Sequence, residues 1–570
     1  MAIKTKGFSL TAFALLLSFT TSLHAQNPTL AWAKQMGGTE NDAGNCITTD
    51  ANGNVYTTGY FSGTVDFDPG VASTKLTSAG YLDIFIQKLD ANGNLIWVKQ
   101  MGGTGVDFSS SITTDAKGNI FTTGDFSGTV DFDPGAGTTN LTSAGSYDIF
   151  IQKLDANGNF LWVKQMGGTM DDYGNAIATD ANGNVYTTGI FRDVVDFDPG
   201  TGIINLTATD YNDIYIQKLD AYGKLLWVKQ IVGTGSEFAT SLTIDSLGNV
   251  YSTGYFEKTV DFDPGTGTTF FTSQGDFDIY IEKLDANGNF LWAKQMGGTG
   301  YNSGYSIATD KNGNVFTTGY FKNTVDFDPG AGVANLTSAG AKDVFIQKLD
   351  AKGNFLWVKQ IGGTYYEEGH SIAIDASGNV ITVGFFSGTI DFNPGTGVTN
   401  LTSAGSSDMF MQQLDADGNF MWVKQLGGLG EDLVNDITIE ANGNIYTTGS
   451  FSGTVDFDPG TGTSNTSSAG KLDIFIQKLS ANSFGLSENA LSNNLLVYPN
   501  PTDGKFSIGI DNIQKSVTVR ILSLTGQVIV NKQFQNTKNI QLELNQSNGI
   551  YMLETIDEQG NKVTLKIVKQ

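Results

Sequence analysis

Residues Asp83 to Gly103 read DIFIQKLDANGNLIWVKQMGG, and this stretch recurs along the chain. Its tryptophan, Trp97, is one of seven: Trp32, Trp97, Trp162, Trp227, Trp292, Trp357 and Trp422. Successive tryptophans stand 65 residues apart, with no net insertion or deletion between copies. Self-similarity at a fixed period decides the fold before any local reading does. Working outward from Trp97, each unit reads as four strands: Cys46–Asp50, Asn54–Phe61, Asp83–Leu89 and Leu95–Gln100. Val, Ile, Thr, Tyr, Phe and Trp dominate these runs, as they do in pleated sheets.

The links between strands carry turn chemistry. Asp50-Ala51-Asn52-Gly53-Asn54 joins the first two strands, and Asp90-Ala91-Asn92-Gly93-Asn94 the last two. Asn-Gly between apolar runs is a hairpin signal, because both residues tolerate positive φ. These links resemble half of a calcium loop, but no bidentate Glu follows at the required distance, so they read as turns.

Counting strands predicts how the array ends. The first copy of the fourth strand, Leu30–Gln35, precedes any first strand. The last unit stops after Asp473–Leu479, and Ser487 stands where an eighth Trp would fall. The N-terminal strand is therefore expected to complete the last unit and close a ring without exposed sheet edges. The expected fold is all-β: a seven-bladed β-propeller over residues 26–480. An open solenoid would need capping units, which the sequence does not offer.

The run Gly37-Gly38-Thr39-Glu40-Asn41-Asp42-Ala43-Gly44, followed by Ile47-Thr48-Thr49-Asp50 and Gly53-Asn54-Val55-Tyr56-Thr57-Thr58-Gly59, resembles the bacterial β-propeller repeat known as SBBP. The resemblance covers all seven units, implies an extracellular role and brings no defined catalytic residues. The chain departs from it by a longer segment, Ser62 to Leu82, in every unit. Alternation at Val65 and Phe67, then Pro69-Gly70, predicts a small extra hairpin there. The seven blade prolines all fall at this turn, where a missing N–H does no harm.

Both ends carry other signals. Residues 1–25 read as a secretory signal peptide, with Lys4 and Lys6, the apolar run Phe8–Phe19, and a cleavage site near Leu23-His24-Ala25. No other segment approaches a membrane span. Residues 481–494 read as a linker. Residues 495–570 form a different unit, marked by Tyr498-Pro499-Asn500-Pro501-Thr502-Asp503-Gly504, then Gly526, Gly549 and Tyr551, and an ending at Lys569-Gln570. This unit is similar to the type A C-terminal sorting domain of the type IX secretion system. That similarity implies an Ig-like β-sandwich recognised by the secretion machinery, and a secreted or surface-attached product.

Composition bounds the chemistry. The formal charge is −25, and residues 1–25 and 495–570 each carry an excess of two positive charges. About −29 therefore lies between them, a surface that repels nucleic acid. Cys46 is the only cysteine and reads as a small strand residue. Removal of His24 would leave His370, which reads as a solvated loop residue. A multi-His zinc site cannot form.

Recognition is expected on loops, because the strands are uniform and the loops vary. One register before the first strand holds acid in six units, Asp42, Asp107, Asp172, Glu237, Glu367 and Asp432, with Asn302 in the seventh. These would ring the mouth of the channel. One reading makes them acceptors for their own loops' N–H groups. The other makes them a ligand or Ca²⁺ site, with Phe108, Tyr173, Phe238, Tyr301 and Tyr365 as stacking partners for sugars. Asp66, Asp68 and Asp83 recur nearly unchanged and read as structural, the tryptophans as packing between units, and the Lys-Gln pair after each Trp as a solvated edge. The function expected is a non-catalytic extracellular binding protein for a glycan or protein. A carboxylate-dependent polysaccharide-degrading enzyme and a docking platform are the alternatives.

Overall fold

A computed structural model of the protein describes residues 27–481, 495–523, 527–557 and 562–570. The signal-peptide reading, most of the linker and Gly526 lie outside the described residues. The chain divides into two compact units, Met1–Ala481 and Asn482–Gln570.

The first unit is all-β. Its opening strands are β1 (Thr29–Met36), β2 (Ala43–Thr49), β3 (Val55–Phe61), β4 (Thr64–Asp66), β5 (Lys75–Thr77), β6 (Asp83–Leu89) and β7 (Leu95–Gly103). Strands β2, β3, β6 and β7 pair antiparallel in that order, and the pattern recurs in the following units. β1 pairs instead with Asp473–Ser480, from Thr29 opposite Ser480 to Met36 opposite Ile474. The β2-type strands pack on one another in succession, and β2 itself packs on both Asp107–Thr114 and Asp432–Ile439.

The turns form as the Asp-x-Asn-Gly-Asn sequence dictates. Gly53 takes a φ of 77°, and its N–H bonds the Asp50 carbonyl at 3.0 Å. Asp50 Oδ1 accepts the N–H groups of Asn52 and Asn54 at 2.9 and 3.0 Å. A left-handed glycine and an Asx acceptor together make a tight link that needs no metal.

β6 is buried at every position, so both faces of the sheet are covered. The apolar core lies between neighbouring sheets. Ile84, Ile86 and Met101 of one unit meet Ile112, Ile120 and Phe126 of the next. Within each unit a hairpin phenylalanine plugs the sheet end: Phe67 lies 5.3 Å from Phe61 and 5.0 Å from Phe85.

The extra hairpin forms, and it does more than decorate its own unit. The hairpin of the second unit pairs with β7 of the first, Val130 opposite Gly103 and Asp131 opposite Gly102. It thereby extends the neighbouring sheet to six strands. The tryptophans also cross between units. Trp32 Nε1 donates to the Ala91 carbonyl at 3.2 Å, and Lys478 Nζ donates to the same oxygen at 3.0 Å. The pattern repeats at Ala221, reached by Trp162 and Lys153.

Two expectations need correction. The glutamine of the Lys-Gln pair is not merely solvated: Gln100 Nε2 donates to the Thr77 carbonyl at 2.8 Å and to Asp83 Oδ2 at 2.7 Å. His370 is not in a loop. It lies within the strand Glu368–Ile374, and its Nδ1 stands 3.1 Å from the Val434 carbonyl.

The second unit holds five strands in one hydrogen-bonded sheet, in which Lys505–Ser523 pairs with Leu495–Tyr498, Val528–Glu543 and Gly549–Asp557. Phe506, Ile508, Val519, Ile521, Leu553 and Ile567 build its core.

Candidate functional site

The loops before the β2-type strands meet the segments after the β3-type strands, so both belong to one face. Asp42 makes the junction. Its Oδ2 accepts the Gly38 N–H and its Oδ1 the Ser62 N–H, both at 2.9 Å. Asp107 joins Gly103 and Ser127 in the same way, and Asp172 joins Gly168 and Arg192. Asp432 accepts from Gly428 and Glu367 from Gly363. Asn302 takes the place of acid by accepting the Lys322 N–H through Oδ1.

All six carboxylates are buried. Burial pushes Asp42, Asp107 and Asp432 up to about 6, and Asp172 and Glu367 up to about 7. Glu237, like Glu367, is one methylene longer than the four aspartates. The Glu257 N–H, which takes the place of Ser62 N–H, bonds the Ser236 carbonyl instead, and burial raises Glu237 to about 9. The predicted acid ring is thus a set of loop braces beneath the surface. Most of these acids also fasten two units, since the Asp107 N–H donates to the Leu82 carbonyl and the Asp42 N–H to the Leu472 carbonyl. Among the described residues no three His, Cys, Asp or Glu side chains are grouped to hold a metal ion.

The aromatic half of the expected site fares differently. Register differences among the seven copies locate it. The register of Asp83 is Asp in every copy. The register of Ala43 holds Ala, Phe, Tyr, Phe, Ser, Glu and Leu; that of Asn45 holds Asn, Ser, Asn, Thr, Tyr, His and Asn. Those of Tyr60 and Leu82 vary as widely. The structure brings these registers together.

In the fourth to sixth units they form a continuous aromatic arc. Phe238 stacks on Tyr255 at 4.7 Å between ring centres, and Phe277 lies 5.3 Å from Tyr255 and 4.5 Å from Tyr301. Tyr301 stacks on Tyr320 at 6.2 Å, and Tyr305 meets Tyr320 at 5.4 Å. His370 continues the arc, edge-on to Tyr305 at 5.7 Å and to Phe385 at 5.3 Å. Two ionic groups close it: Lys342 Nζ lies 2.6 Å from Glu368 and 3.8 Å above the Tyr320 ring. Glu368 also lies 3.6 Å from His370 Nε2. Burial opposes its ionisation, but bonds with His370 and Lys342 hold the carboxyl below its ordinary range.

The other predicted aromatics lie apart from the arc. Phe108 meets Tyr60 edge-on at 5.1 Å, and Tyr173 stacks on Tyr147 at 5.8 Å. Tyr365 stands exposed on the rim. Sequence reading found Phe238 and Tyr301 but missed Tyr255, Phe277, Tyr305, Tyr320, Lys342, Glu368 and His370. Their signal was present as departure from the repeat at a fixed register, including registers inside strands.

The chain's likeness to known proteins agrees with this architecture. The model of the SBBP beta-propeller repeat matches residues 31–60, 96–125, 161–189, 226–255, 291–320 and 422–450. That of the secretion system C-terminal sorting domain matches residues 496–570. The chain carries SBBP propeller repeats and a type IX sorting tail. Such a tail marks proteins exported to the cell surface or extracellular space. Trp357, Glu368 and His370 lie outside the matched stretches.

An uncharacterised WD repeat-containing protein, L264, of Acanthamoeba polyphaga mimivirus is 25% identical over 500 residues, 74% of this chain and 36% of that protein. The regulatory protein FlaEY of Caulobacter vibrioides is 24% identical over 394 residues, 63% of this chain and 40% of its own length. The chain therefore spans well under half of these relatives. Dimeric latent PorU from Porphyromonas gingivalis aligns with 60% of this chain and 34% of its own at 10% identity, with a TM-score of 0.12. That score is far below a shared fold.

Proposed function

We propose that this chain is an exported, non-catalytic recognition protein. Its first unit is a seven-bladed β-propeller closed by β1, and its tail is an Ig-like domain read by the type IX secretion machinery. Closure is supported by repetition at the seam. Asn435 Nδ2 donates to the Gly44 carbonyl at 2.9 Å, as Asn45 Nδ2 donates to the Ser109 carbonyl at 3.0 Å between internal units. Gln35 reaches Asp473 as Gln100 reaches Asp83.

One observation carries the functional reading. The registers of Ala43, Asn45, Tyr60 and Leu82, which differ most widely among otherwise uniform copies, converge on the loop face. Shared positions serve a fold that every copy needs. Varied positions that share a surface and expose aromatic edges suit an extracellular glycan or protein ligand. The buried braces hold these loops in place before a ligand arrives, which reduces the ordering cost of binding. Most acids of the braces are engaged with backbone N–H groups, which supports a bracing rather than a hydrolytic role for them.

The test is binding of the purified full chain to a broad glycan array and to extracellular proteins of its host, with and without EDTA. Binding abolished by substitutions on the loop face supports the reading. Release of reducing ends or unsaturated sugars from a polysaccharide panel would replace it with the enzymatic one. Binding confined to the turn face, mapped by Tyr222→Ala and Leu247→Ala, would move the site to the other side.

A further inference from the structure

Within the loop face, the copies are not equal. The aromatic arc of the fourth to sixth units is its largest run of touching rings among the described residues. We infer that this arc is a subsite for a neutral polysaccharide chain, an inference that rests on the recognition reading above.

Three features select that ligand. The first is shape. Tyr255, Phe277 and Tyr301 are half-buried rings in mutual contact, held from below by the strands and braces, so they keep ring surface available without losing side-chain freedom on binding. Tyr366 extends the rim: it occupies the register of Tyr301 one unit on and is 57% exposed. Apolar faces of pyranose rings stack on such surfaces, and their hydroxyls need polar partners at the edge.

The second feature is the polar end of the arc. Lys342 and Glu368 neutralise one another at 2.6 Å, and the His370 imidazole beside them is anchored through Nδ1 at the Val434 carbonyl. The paired Lys342 and Glu368 present donors and an acceptor whose charges cancel, and the imidazole adds a further polar edge, an arrangement suited to hydroxyl groups. The third feature is the wider field. About −29 charges lie between residues 26 and 494, and they repel polyanions at low salt. A neutral polysaccharide meets no such barrier.

The second aromatic pair on this face supplies the comparison. Tyr147 and Tyr173 stack at 5.8 Å but sit beside Asp125 and Asp171. Asp125 is buried, and burial together with Asp107 and Asp171 raises it to about 8. This sector has its own ion pair, Arg192 Nη1 3.0 Å from Asp171 Oδ2, but its stacked pair of rings is not continued into an arc and has no imidazole beside it.

The experiment is affinity electrophoresis and calorimetry of the full chain against soluble neutral polysaccharides (a β-glucan, a xylan and a mannan) and anionic ones (alginate and polygalacturonate). The variants are Tyr301→Ala, Tyr305→Ala, Tyr305→Phe and Tyr366→Ala, with Tyr173→Ala in the other sector. Thermal melts check that each variant is folded. Tyr366 is exposed, so its variant reports on binding even if the half-buried ones unfold. The expected result is retention by at least one neutral polysaccharide, weakened at least tenfold by Tyr301→Ala or Tyr305→Ala and severalfold by Tyr366→Ala. Tyr305→Phe and Tyr173→Ala should bind nearly as the parent. Loss of binding on Tyr173→Ala alone overturns the arc while leaving recognition on this face intact. Retention by anionic polysaccharides only overturns the ligand class. Absence of polysaccharide binding overturns the inference, and absence of protein binding as well overturns the recognition reading.

Discussion

Lys478 Nζ donates to the carbonyl oxygen of Ala91 at 3.0 Å, across 387 positions of sequence. Trp32 donates to the same oxygen. A closed ring predicts that removing Trp32 costs as much as removing Trp162, whose indole makes the corresponding bond to Ala221. Each Trp→Ala change should cost about 2–4 kcal/mol, the range for a large, mostly buried aromatic. Chemical denaturation of the two variants measures it. A Trp32 variant with parental stability would mean that the seam contributes nothing.

Asp83 is predicted to matter more than a repeated surface acid should. Its Oδ2 accepts the Ala79 N–H at 3.0 Å and Gln100 Nε2 at 2.7 Å, and it is fully buried. Asp83→Ala leaves those donors without a partner and should cost about 2–4 kcal/mol. Asp66→Ala, at a hairpin tip whose acid faces solvent more, should cost about 1 kcal/mol. Urea midpoints at constant slope distinguish the two.

Glu282 gives a pH-dependent test. In the other units a glutamine stands at its register, and Gln87, Gln217 and Gln477 each donate to a hairpin phenylalanine carbonyl at 2.7 Å. An ionised carboxylate cannot donate there. Burial pushes Glu282 up from 4.5 to about 8. The folded state then keeps a proton that the unfolded state releases, so stability falls as pH rises from about 4.5 to about 8. Glu282→Gln should restore the bond and remove this dependence. The gain should be small near pH 4.5 and about 1–3 kcal/mol at pH 8 and above. Melting curves from pH 4.5 to 9 measure it, and equal gains at all pH values would count against a proton at this site.

In the sorting domain, Asn500 ties the front motif to the final strand. Its Nδ2 donates to the Lys566 carbonyl at 2.7 Å, and its Oδ1 accepts the Val568 N–H at 2.8 Å. Asn500→Ala should loosen that strand and lower surface or medium yield severalfold in a type IX-secreting host. Immunoblots of periplasm and medium measure it. Unchanged export would show that the pairing is dispensable for sorting.

The legibility of the molecule divides along these residues. Period-two alternation and Asn-Gly turns are local, so the turn-side ends of the strands could be read within a residue, whereas the loop-side ends of the first and fourth strands run further, to Ala43 and Gly103; the 65-residue spacing of the tryptophans carried the repeat. The sorting tail was readable for the same reason, as spaced motifs in order. His370 was misplaced because the polar loop-side end of its strand, which begins at Glu368, carries no apolar alternation to mark it. The Asp42 register was found, but its burial was not, because the amides it accepts belong to segments 4 and 20 residues away.

By itself, then, the sequence determined the repeat, its strands, its turns and its export signal, since each follows from short-range chemistry repeated many times. Only the tertiary structure decided what faces what. It turned the predicted acid ring into buried braces, sent four of the hairpins onto their neighbours' sheets, and gathered Phe277, Tyr305 and His370 from different units into one arc. Those outcomes depend on contacts between segments that lie apart in sequence, from Asp42 with Ser62 to Tyr305 with His370 in the next unit, where packing, rather than any local propensity, selects the partner.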